Sequence, residues 1–358
     1  MKSIENITIE AIELLKKLIE TPSFSSEEEN TAILIEAWFT ENKIPFERNN
    51  NNIWAYNLHF DKSKPTLLLN SHHDTVKPNE GYTIDPFSAI VEGDQLFGLG
   101  SNDAGGCLVS LLAAFTHLYE SENFSHNIVI VASAEEESSG QNGLNSVLKF
   151  LPEIDCAIVG EPTQMQLAIA EKGLVVLEIQ VLGTASHAAH ENFDNPIMNT
   201  IAILNWFKNY KFDKISEVLG PVKATVTQIN AGEQHNVVPS ECNLVVDIRV
   251  NEKYTNEEIV AIVEQNIDAE VKPRSLNLKS SSISQNHQLV QAGIALGRTT
   301  YGSPTLSDQS VLNCQSLKLG PGNSTRSHTS NEFIYLSEIE EGIDLYIKIL
   351  NAFLKKKE

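Results

Sequence analysis

TLLLNSHHD, at residues 66–74, is a short apolar run that ends in two histidines and an aspartate. Two later runs, IVIVA at 128–132 and CAIV at 156–159, are followed by the acidic stretches EEE at 135–137 and GEPT at 160–163. The three runs are bounded by polar residues, and helix-like segments separate them. This pattern is typical of strands buried in a mostly parallel sheet that is covered by helices. It therefore predicts an α/β fold.

The polar residues stand where the predicted strands end. In open α/β sheets ligands bind beyond the carboxyl ends of the strands, so side chains that are distant in sequence are expected to converge on one rim. Asp103, in GLGSNDAGG, precedes a helix-like segment, and His328 follows GPG at 320–322. Carboxylates crowded on one rim repel one another and lose hydration, and cations would remove that penalty. Histidine and carboxylate ligands without cysteine suit zinc, cobalt or manganese.

Taken alone, each of these motifs has an ordinary structural explanation. A histidine–aspartate pair can lie in a surface turn, Asp103 can cap a helix, and three successive glutamates can form a solvated loop. Their occurrence in order, each after a predicted strand, favours a metal site.

The chain changes its pattern near residue 173. The predicted elements then follow in the order strand, helix, strand, strand, helix, strand, at 174–181, 196–210, 225–230, 243–250, 255–267 and near Val271. This order suggests a ferredoxin-like unit. We therefore predict that a small α+β domain at 173–285 is inserted into a larger α/β domain formed by 1–172 and 286–358.

The N-terminal region predicts two helices. Apolar residues at helical spacing indicate a helix at about 8–20, which Thr21 and Pro22 interrupt. Ser25 and Ser26, with glutamates shortly after them, resemble a capping box for a second helix that ends near Asn42.

Composition limits the classes of partner. The formal net charge is −21, and no basic stripe is present that could meet the phosphates of nucleic acid or an anionic membrane surface. The N-terminus lacks the pattern of a signal peptide, and the apolar runs are too short to span a bilayer. The four cysteines lie far apart without a CxxC pair, which indicates reduced thiols and predicts a cytoplasmic protein.

The motifs as a set resemble the M20 metallopeptidase family. The resemblance runs from about residue 8 to the last predicted helix and rests on SHHDTVKP, GLGSNDAGG, ASAEEESSGQNG, VGEPT, GTASHAA, HNVVPSECN, DIR and GPGNSTRSHTSNE. It implies a zinc-peptidase-like mixed sheet with helices on both faces, plus an inserted ferredoxin-like dimerisation or lid domain. It also implies a hydrolase that uses two divalent metal ions, zinc or alternatively cobalt, to cleave an amide bond.

The resemblance implies a role for each motif residue. The metal ligands would be His72, Asp103, Glu137, Glu161 and His328. Asp103 would bridge the two ions, Asp74 would orient His72, and Glu136 would be the general base, while His73 would be a bystander. Pairing Glu135 with Glu136 stays open. We prefer Glu136 with Glu137, because the glycines that follow are then spaced as in aminoacylase-type members.

The predicted inserted domain would complete the site. The resemblance implies that His187 and Asn236 donate to the developing oxyanion, and that His187 reaches the active site of the neighbour in a homodimer. Arg249 matches an arginine that holds the substrate carboxylate. Lys172 stands where many members have an arginine, so the contact there could be a point charge instead. Arg326 and Lys318 are further candidates.

The substrate is expected to be a small N-acyl amino acid. The chain length and the lysine–glycine pair at 172–173 are most similar to compact deacetylases that act on N-acetylornithine or N-acetylcitrulline, which predicts a role in arginine biosynthesis. The alternatives are a desuccinylase of the N-succinyl-diaminopimelate or N-succinylcitrulline type, a dipeptidase or aminotripeptidase, and an inactive member that only binds metal.

Overall fold

The computed structural model describes residues 2–355. These residues form two compact units. The larger unit comprises 2–169, 282–301 and 307–355, and the smaller unit comprises 170–281 and 302–306. The short segment 302–306 belongs to the smaller unit, where Gly302 packs closely against the backbone carbonyl of Val218.

Eight α-helices and eighteen β-strands lie within residues 2–355. The helices are α1 Ile4–Ile19, α2 Glu29–Glu41, α3 Gly106–Leu118, α4 Leu144–Val147, α5 Pro196–Asn209, α6 Asn256–Asn266, α7 Gln288–Ala295 and α8 Leu336–Leu354. The strands are β1 Phe46–Asn49, β2 Asn52–Tyr56, β3 Thr66–His72, β4 Ile90–Glu92, β5 Gln95–Phe97, β6 Asn127–Ser133, β7 Cys156–Val159, β8 Leu167–Glu171, β9 Gly173–Leu182, β10 Ser186–His187, β11 Lys223–Asn230, β12 Val237–Val238, β13 Glu241–Val250, β14 Glu270–Pro273, β15 Ser281–Ser282, β16 Thr300–Ser303, β17 Gln315–Lys318 and β18 Phe333–Tyr335.

The central sheet contains the three apolar runs. Its strand order is β1-β2-β6-β3-β7-β17-β8-β15, and β16 also pairs with β8. The four central strands β6, β3, β7 and β17 are parallel, so their carboxyl ends lie at one edge of the sheet. Leu69 of β3, for example, lies opposite Ile130 of β6 and Ile158 of β7. Strands β1, β2 and β8 pair antiparallel and make the sheet mixed.

Alternation along the buried strands divides the core between the two faces of this sheet. Leu67 and Leu69 belong to the core that includes apolar residues of helices α1, α2, α3, α7 and α8. Leu68, between them, belongs to the opposite core, which contains Trp54 and residues of α4. Successive strand residues point to opposite faces, which explains why every side chain of β3 is buried. The predicted α/β fold with helices on both faces is confirmed.

The capping box predicted for the second helix was wrong. Helix α2 begins at Glu29, and no side-chain hydrogen bond caps its N-terminus. The Ser25 hydroxyl instead donates to Asp74 Oδ2 at 2.7 Å, and the Ser26 hydroxyl donates to Glu135 Oε1 at 3.0 Å. Both serines thus stabilise carboxylates that are distant in sequence rather than the nearby helix.

The smaller unit is a four-stranded antiparallel sheet with two helices. Its strand order is β11-β13-β9-β14, with α5 after β9 and α6 after β13, as in the predicted ferredoxin-like order. Alternate residues of β9 are buried and pack with α5 and α6 into one core. Asn195 caps α5, and a capping box of Thr255 and Glu258 starts α6.

Two further features bear on the sequence analysis. Among residues 2–355, no helix combines the length and the apolar character that a membrane crossing needs. Cys107, Cys156, Cys242 and Cys314 are all free thiols, and only Cys314 is not buried.

Candidate metal centre

Parallel strand ends bring the first group of predicted ligands together. His72 is the last residue of β3, and Glu136 and Glu161 follow the neighbouring strands β6 and β7. His72 Nε2 lies 3.4 Å from Asp103 Oδ1, 3.8 Å from Glu161 Oε1 and 4.0 Å from Glu136 Oε2. One buried imidazole therefore faces three carboxylates.

A second group forms on the other side of Asp103. His328 Nε2 lies 3.1 Å from Glu137 Oε1 and 3.6 Å from Asp103 Oδ2. The two carboxylate oxygens of Asp103 thus face different histidines, one in each group. This is the arrangement that a carboxylate shared by two ions requires. The structure brings all five predicted ligands together, and their roles stay a prediction.

The donor set fits divalent cations. Ligand atoms of His72, Asp103 and Glu137 lie within 4.8 Å of one another, and so do those of His72, Glu136 and Glu161. Glu136, at 4.0 Å, is nearly as close to His72 as Glu161 is at 3.8 Å, so distance alone does not distinguish a ligand from a base. The groups contain imidazole and carboxylate but no thiol, which suits zinc or cobalt.

The charges of the cluster also fit cations. Burial and the Asp103 carboxylate raise the pKa of Glu161 to about 8, against the opposing effect of His72 and Lys318. Burial and the Glu161 carboxylate hold the pKa of Glu136 well above its ordinary value, although His72 opposes them. A hydrogen bond to Glu137 raises the pKa of His328 to about 9. Glu161 and His328 therefore hold protons at neutral pH that metal ligands must release, and dications would displace them.

Asp74 connects the two halves of the cluster. His72 Nδ1 lies 2.9 Å from the Asp74 backbone oxygen and 3.4 Å from Oδ1. The Asp74 carboxylate also accepts hydrogen bonds from the backbone N–H groups of Glu136 and Glu137, at 3.0 and 3.1 Å. Burial alone would raise the pKa of Asp74, but the hydrogen bond with His72 leaves it below its ordinary value. One aspartate therefore orients the histidine and fixes the backbone of both glutamates.

Glu135 faces away from the metal centre. Its φ is +54°, and its carboxylate accepts from the Asn142 backbone at 3.0 Å and from the Ser26 hydroxyl at 3.0 Å. A side chain at Gly140 would clash with Glu135 Oε2, so only glycine fits there. Glu135 thus holds the 135–142 loop, while Glu136 and Glu137 face the histidines.

Sequence reasoning missed Glu332. Its buried carboxylate accepts from the backbone N–H groups of Gly100, Asn102 and Asp103, at 3.2, 2.8 and 2.9 Å. Burial and Asp103 raise its pKa to about 8 even so. Glu332 thus holds the loop that carries the central aspartate. The signal that could have found it is its place four residues after His328 in the motif SHTSNE.

Asp308 is a second buried carboxylate that the sequence analysis missed. It accepts hydrogen bonds from Asn70 Nδ2 at 2.8 Å and from the Ser133 hydroxyl at 2.6 Å. Burial raises its pKa. It connects the last residues of β3 and β6, whose ends present the ligands. No motif separated this aspartate from an ordinary surface residue.

His73 makes only structural contacts. Its Nδ1 lies 2.9 Å from Thr31 Oγ1 and its Nε2 lies 2.8 Å from the Asn51 backbone oxygen. Burial lowers its pKa to about 4, so the ring is neutral at physiological pH.

His187 and Asn236 are neighbours within the smaller unit. His187 ends β10, which pairs with β12, and the Ala188 N–H donates to the Asn236 backbone oxygen at 2.9 Å. His187 is exposed, and its Nδ1 accepts a hydrogen bond from the Ala189 N–H at 3.1 Å. The structure thus brings the two predicted oxyanion donors onto one short ribbon.

The predicted carboxylate contacts of the smaller unit already have partners. Arg249 donates to both Asp247 carboxylate oxygens, at 2.9 and 3.0 Å, and Lys172 Nζ donates to the Pro221 backbone oxygen at 3.0 Å. Burial lowers the pKa of Lys172, and the nearby charges of Lys223 and Arg249 add to the effect. These three cations form a positive cluster on a strongly acidic protein.

The two further candidates for the substrate carboxylate lie in the larger unit. Arg326 donates to both carboxylate oxygens of Glu338, at 2.7 and 2.9 Å, and its guanidinium lies over the Phe333 and Tyr335 rings. Such contacts are typical of a structural arginine. Lys318 is buried, and its charge acts on Glu161.

Comparison with known proteins points to the same family as the sequence motifs. Residues 68–352 match the sequence profile of peptidase family M20/M25/M40. Succinyl-diaminopimelate desuccinylase of Ehrlichia ruminantium (strain Welgevonden) is 27% identical over 384 aligned positions, which cover 97% of this chain and 98% of that protein.

Solved structures share the fold. The M20 metallo-carboxypeptidase Sso-CP2 of Sulfolobus solfataricus superposes with a TM-score of 0.76 at 17% identity, covering 96% of this chain and 99% of that one. The YXEP protein of Bacillus subtilis, described as a dinuclear metal-binding peptidase of the M20 family, gives 0.75 at 15% identity, covering 97% and 98%.

Without cations, the protein is expected to lose stability as the pH rises. The pKa of Glu161 is about 8 against an ordinary 4.5, and that of His328 is about 9 against 6.5. Between these values the folded state binds more protons than the unfolded chain, so the free energy of unfolding falls with pH. We expect the urea concentration at the unfolding midpoint of chelator-treated protein to decrease as the pH is raised from about 5 to about 9. Added zinc should raise this midpoint most near pH 9.

Glu161→Gln is the matched control, because it removes one titrating group and should flatten the metal-free profile. A metal-free midpoint that stays constant or rises across the same window would contradict this electrostatic account.

Proposed function

The chain belongs to peptidase family M20/M25/M40, and from this membership we propose that it is a metal-dependent desuccinylase of N-succinyl amino acids. The observation that carries the proposal is the cluster in which Asp103 lies between His72 and His328, with Glu136 beside it. A cluster of this composition suits amide hydrolysis with two divalent ions.

The acyl group is inferred from the relatives. The sequence analysis preferred an acetyl substrate in arginine biosynthesis, but the curated relatives support the succinyl alternative better, since the one described above is a succinyl-diaminopimelate desuccinylase. We therefore propose N-succinyl-diaminopimelate as the first candidate, which would place the reaction in diaminopimelate and lysine biosynthesis.

The positive cluster of the smaller unit supports an anionic substrate. Burial lowers the pKa of Lys172, and repulsion from the nearby charges of Lys223 and Arg249 lowers it further. A bound carboxylate would relieve this repulsion. A succinyl amino acid carries one more carboxylate than its acetyl counterpart, so it gains more from such a contact. We propose Lys172 and Arg249 as carboxylate contacts on this ground.

His72, Asp103, Glu137, Glu161 and His328 would hold the two ions. When bound, such ions polarise the amide carbonyl and make water more acidic near neutral pH. Asp74 and Glu332 then act as positioning residues, because they fix His72 and the Asp103 loop through hydrogen bonds. Neither side chain needs to contact the substrate for this role.

Glu136 would move the protons. Its side chain is only 14% exposed, and its raised pKa suits a group that both accepts and donates a proton. Hydrolysis breaks the carbon–nitrogen bond and adds the hydroxyl of water to the acyl carbon. Glu136 takes the remaining proton from that water and passes it to the departing amine.

A second copy of the chain is the proposed partner of the smaller unit. Its segment 193–201 exposes four apolar side chains, namely Phe193, Ile197, Met198 and Ile201, and Phe193 is 92% exposed. A contiguous exposed apolar patch is typical of a protein interface. The resemblance to the family adds that His187 and Asn236 would act as oxyanion donors, with His187 serving the neighbour's site.

The substrate proposal predicts a preference among acyl groups. A hydrogen bond to a charged group contributes about 1.5–3 kcal/mol, so kcat/KM for a succinyl substrate should exceed that for its acetyl counterpart about ten- to a hundredfold. The measurement compares N-succinyl-diaminopimelate, N-succinylcitrulline, N-acetylornithine, N-acetylcitrulline and a dipeptide with zinc or cobalt added.

The outcomes of this screen are distinct. Preference for N-acetylornithine or N-acetylcitrulline would restore the deacetylase hypothesis, and preference for the dipeptide would make the chain a dipeptidase. Metal binding without turnover of any substrate would identify an inactive member.

Substitutions of Glu136 and Glu137 are expected to affect different properties, namely turnover and metal content. Glu136→Gln should keep both ions and lose about 10²- to 10⁴-fold in kcat, the usual loss for a general base. Glu137→Gln should lower metal occupancy instead. Metal content by mass spectrometry and kcat are measured on the same samples, with Glu135→Gln as the neighbouring control. If Glu136→Gln loses metal while Glu137→Gln keeps it, the pairing of Glu135 with Glu136 is correct.

His187 should act in trans. Loss of an oxyanion donor costs about 3–4 kcal/mol, so His187→Ala should lower kcat about 10²- to 10³-fold with metal content unchanged. Mixing His187→Ala with Glu136→Gln chains should restore activity, because one site of a mixed dimer keeps both residues. Random mixing makes about half of the dimers mixed, so about a quarter of wild-type activity should return. Mixed dimers that form and stay inactive would show that His187 does not act in trans.

A further inference from the structure

Four potential metal ligands lie at the opposite edge of the central sheet. His126 directly precedes β6, Asp155 precedes β7, Cys156 is its first residue, and His287 stands at the N-terminus of α7. Ligand atoms of Asp155, Cys156 and His287 lie within 4.8 Å of one another, and His126 Nε2 lies 3.6 Å from Asp155 Oδ2. We call these four residues the distal cluster.

The distal cluster is separate from the candidate metal centre. Strand β7 begins at Cys156, and Glu161 follows its last residue by two. At about 3.3 Å per residue, the strand places these two residues roughly 15 Å apart. The two groups therefore lie at opposite ends of the same parallel strands and share no ligand.

We propose that the distal cluster binds one zinc-class divalent ion. Two imidazoles, one thiolate and one carboxylate are four ligands of the types that zinc takes in tetrahedral sites. The thiolate and the Asp155 carboxylate together neutralise the charge of one dication, which favours a site beside buried apolar residues. The candidate metal centre contains no thiol, so this ligand set is chemically distinct.

The ligand groups are in suitable states. Burial lowers the pKa of both His126 and His287, so both imidazoles are neutral near pH 7 and can donate a lone pair. His126 Nδ1 lies 2.8 Å from the Ser125 hydroxyl, which leaves Nε2 toward Asp155. The Phe353 ring packs against both imidazoles, with centroid distances of 4.6 and 5.8 Å, and restricts their orientation.

Metal binding would release the proton of the Cys156 thiol and break one hydrogen bond of His287. Burial raises the pKa of the Cys156 thiol far above its ordinary value, so the ion must displace its proton, and the affinity should fall as the pH falls. His287 Nδ1 accepts a hydrogen bond from the Leu289 N–H at 3.2 Å. If Nδ1 binds the ion, its lone pair can no longer accept from Leu289. If Nε2 binds the ion, Nδ1 carries the proton of the neutral imidazole and again cannot accept. Either way, metal binding replaces this helix cap.

An approach for the ion is present. A surface cavity of about 900 Å³ is lined by Asp155 together with Asn127, Pro152 and Glu153. The Asp155 carboxylate is half exposed, whereas Cys156 is fully buried. An ion could therefore meet the carboxylate first and the thiol afterwards.

Cobalt separates the two sites spectroscopically. The metal-free full-length protein is titrated with Co²⁺ and no substrate, and thiolate-to-cobalt charge-transfer absorption in the near ultraviolet is recorded. Only a site with cysteine gives this band, so it reports the distal cluster and not the nitrogen and oxygen ligands of the candidate metal centre. We expect the band in the wild type, an intensity at saturation that corresponds to one cobalt–thiolate site per chain, and its loss when zinc is added.

Matched variants locate the band. His287→Asn keeps a side chain that can cap α7 but removes the imidazole, and His126→Gln changes a partly exposed residue. Both variants and Cys156→Ser should lose or strongly weaken the band, with unchanged hydrolysis in cobalt-loaded protein. Cys107→Ser and Cys314→Ser should keep it. If Cys156→Ser does not fold, the two histidine variants still decide the question.

The proposal is overturned if the wild type shows no charge-transfer band at saturating Co²⁺. It is equally overturned if the band survives Cys156→Ser or both histidine substitutions, or disappears with Cys107→Ser. None of these results depends on which substrate the enzyme hydrolyses.

Discussion

Repulsion among closely spaced carboxylates is the constraint on which the site depends. Asp103, Glu136 and Glu161 approach one imidazole within 4.0 Å, and their side chains are largely buried at the end of the sheet. The result is visible in the pKa of Glu161, which burial and Asp103 raise to about 8. Bound protons reduce the repulsion within such a cluster in part, and bound dications would remove it more fully.

A surrounding set of hydrogen bonds keeps the cluster from relaxing. Asp74 holds the backbone of Glu136 and Glu137, Glu332 holds the loop of Asp103, and Asp308 joins the ends of β3 and β6. All three carboxylates accept from backbone or side-chain donors, and Asp74 also lies 3.4 Å from His72 Nδ1. The parallel strands bring the ligands to one edge of the sheet, and these hydrogen bonds hold them in place there, as a preorganised metal site requires.

Much of the fold could be predicted because the signals are local. The runs at 66–70, 128–132 and 156–159 are apolar enough to be buried on both faces, and parallel pairing then places whatever follows them at one edge. The same logic placed candidate ligands at that edge, while the choice of His72, Asp103, Glu137, Glu161 and His328 as ligands came from the resemblance to the family and stays a prediction. The ferredoxin-like unit followed from alternation in β9 and β13, whose buried side chains form its core.

What could not be predicted depends on partners that are distant in sequence. Ser25 and Ser26 satisfy a local capping rule, yet they donate to Asp74 and Glu135, because a buried carboxylate without donors costs more than a poorly capped helix. Glu332 serves a loop about 230 residues earlier in the chain, so nothing near it in sequence reveals its task. The acyl group was the least accessible, because no side chain was predicted to select it. Arg249 and Lys172, which were predicted to hold the substrate carboxylate, contact Asp247 and Pro221 within their own unit.

Anomalous diffraction from crystals of the zinc-loaded protein, recorded on both sides of the zinc absorption edge, tests the central claim most directly. The account predicts two neighbouring peaks at the candidate metal centre, one beside His72 and Glu161 and one beside Glu137 and His328, with Asp103 between them. A single peak, or two peaks that do not share Asp103, would contradict it.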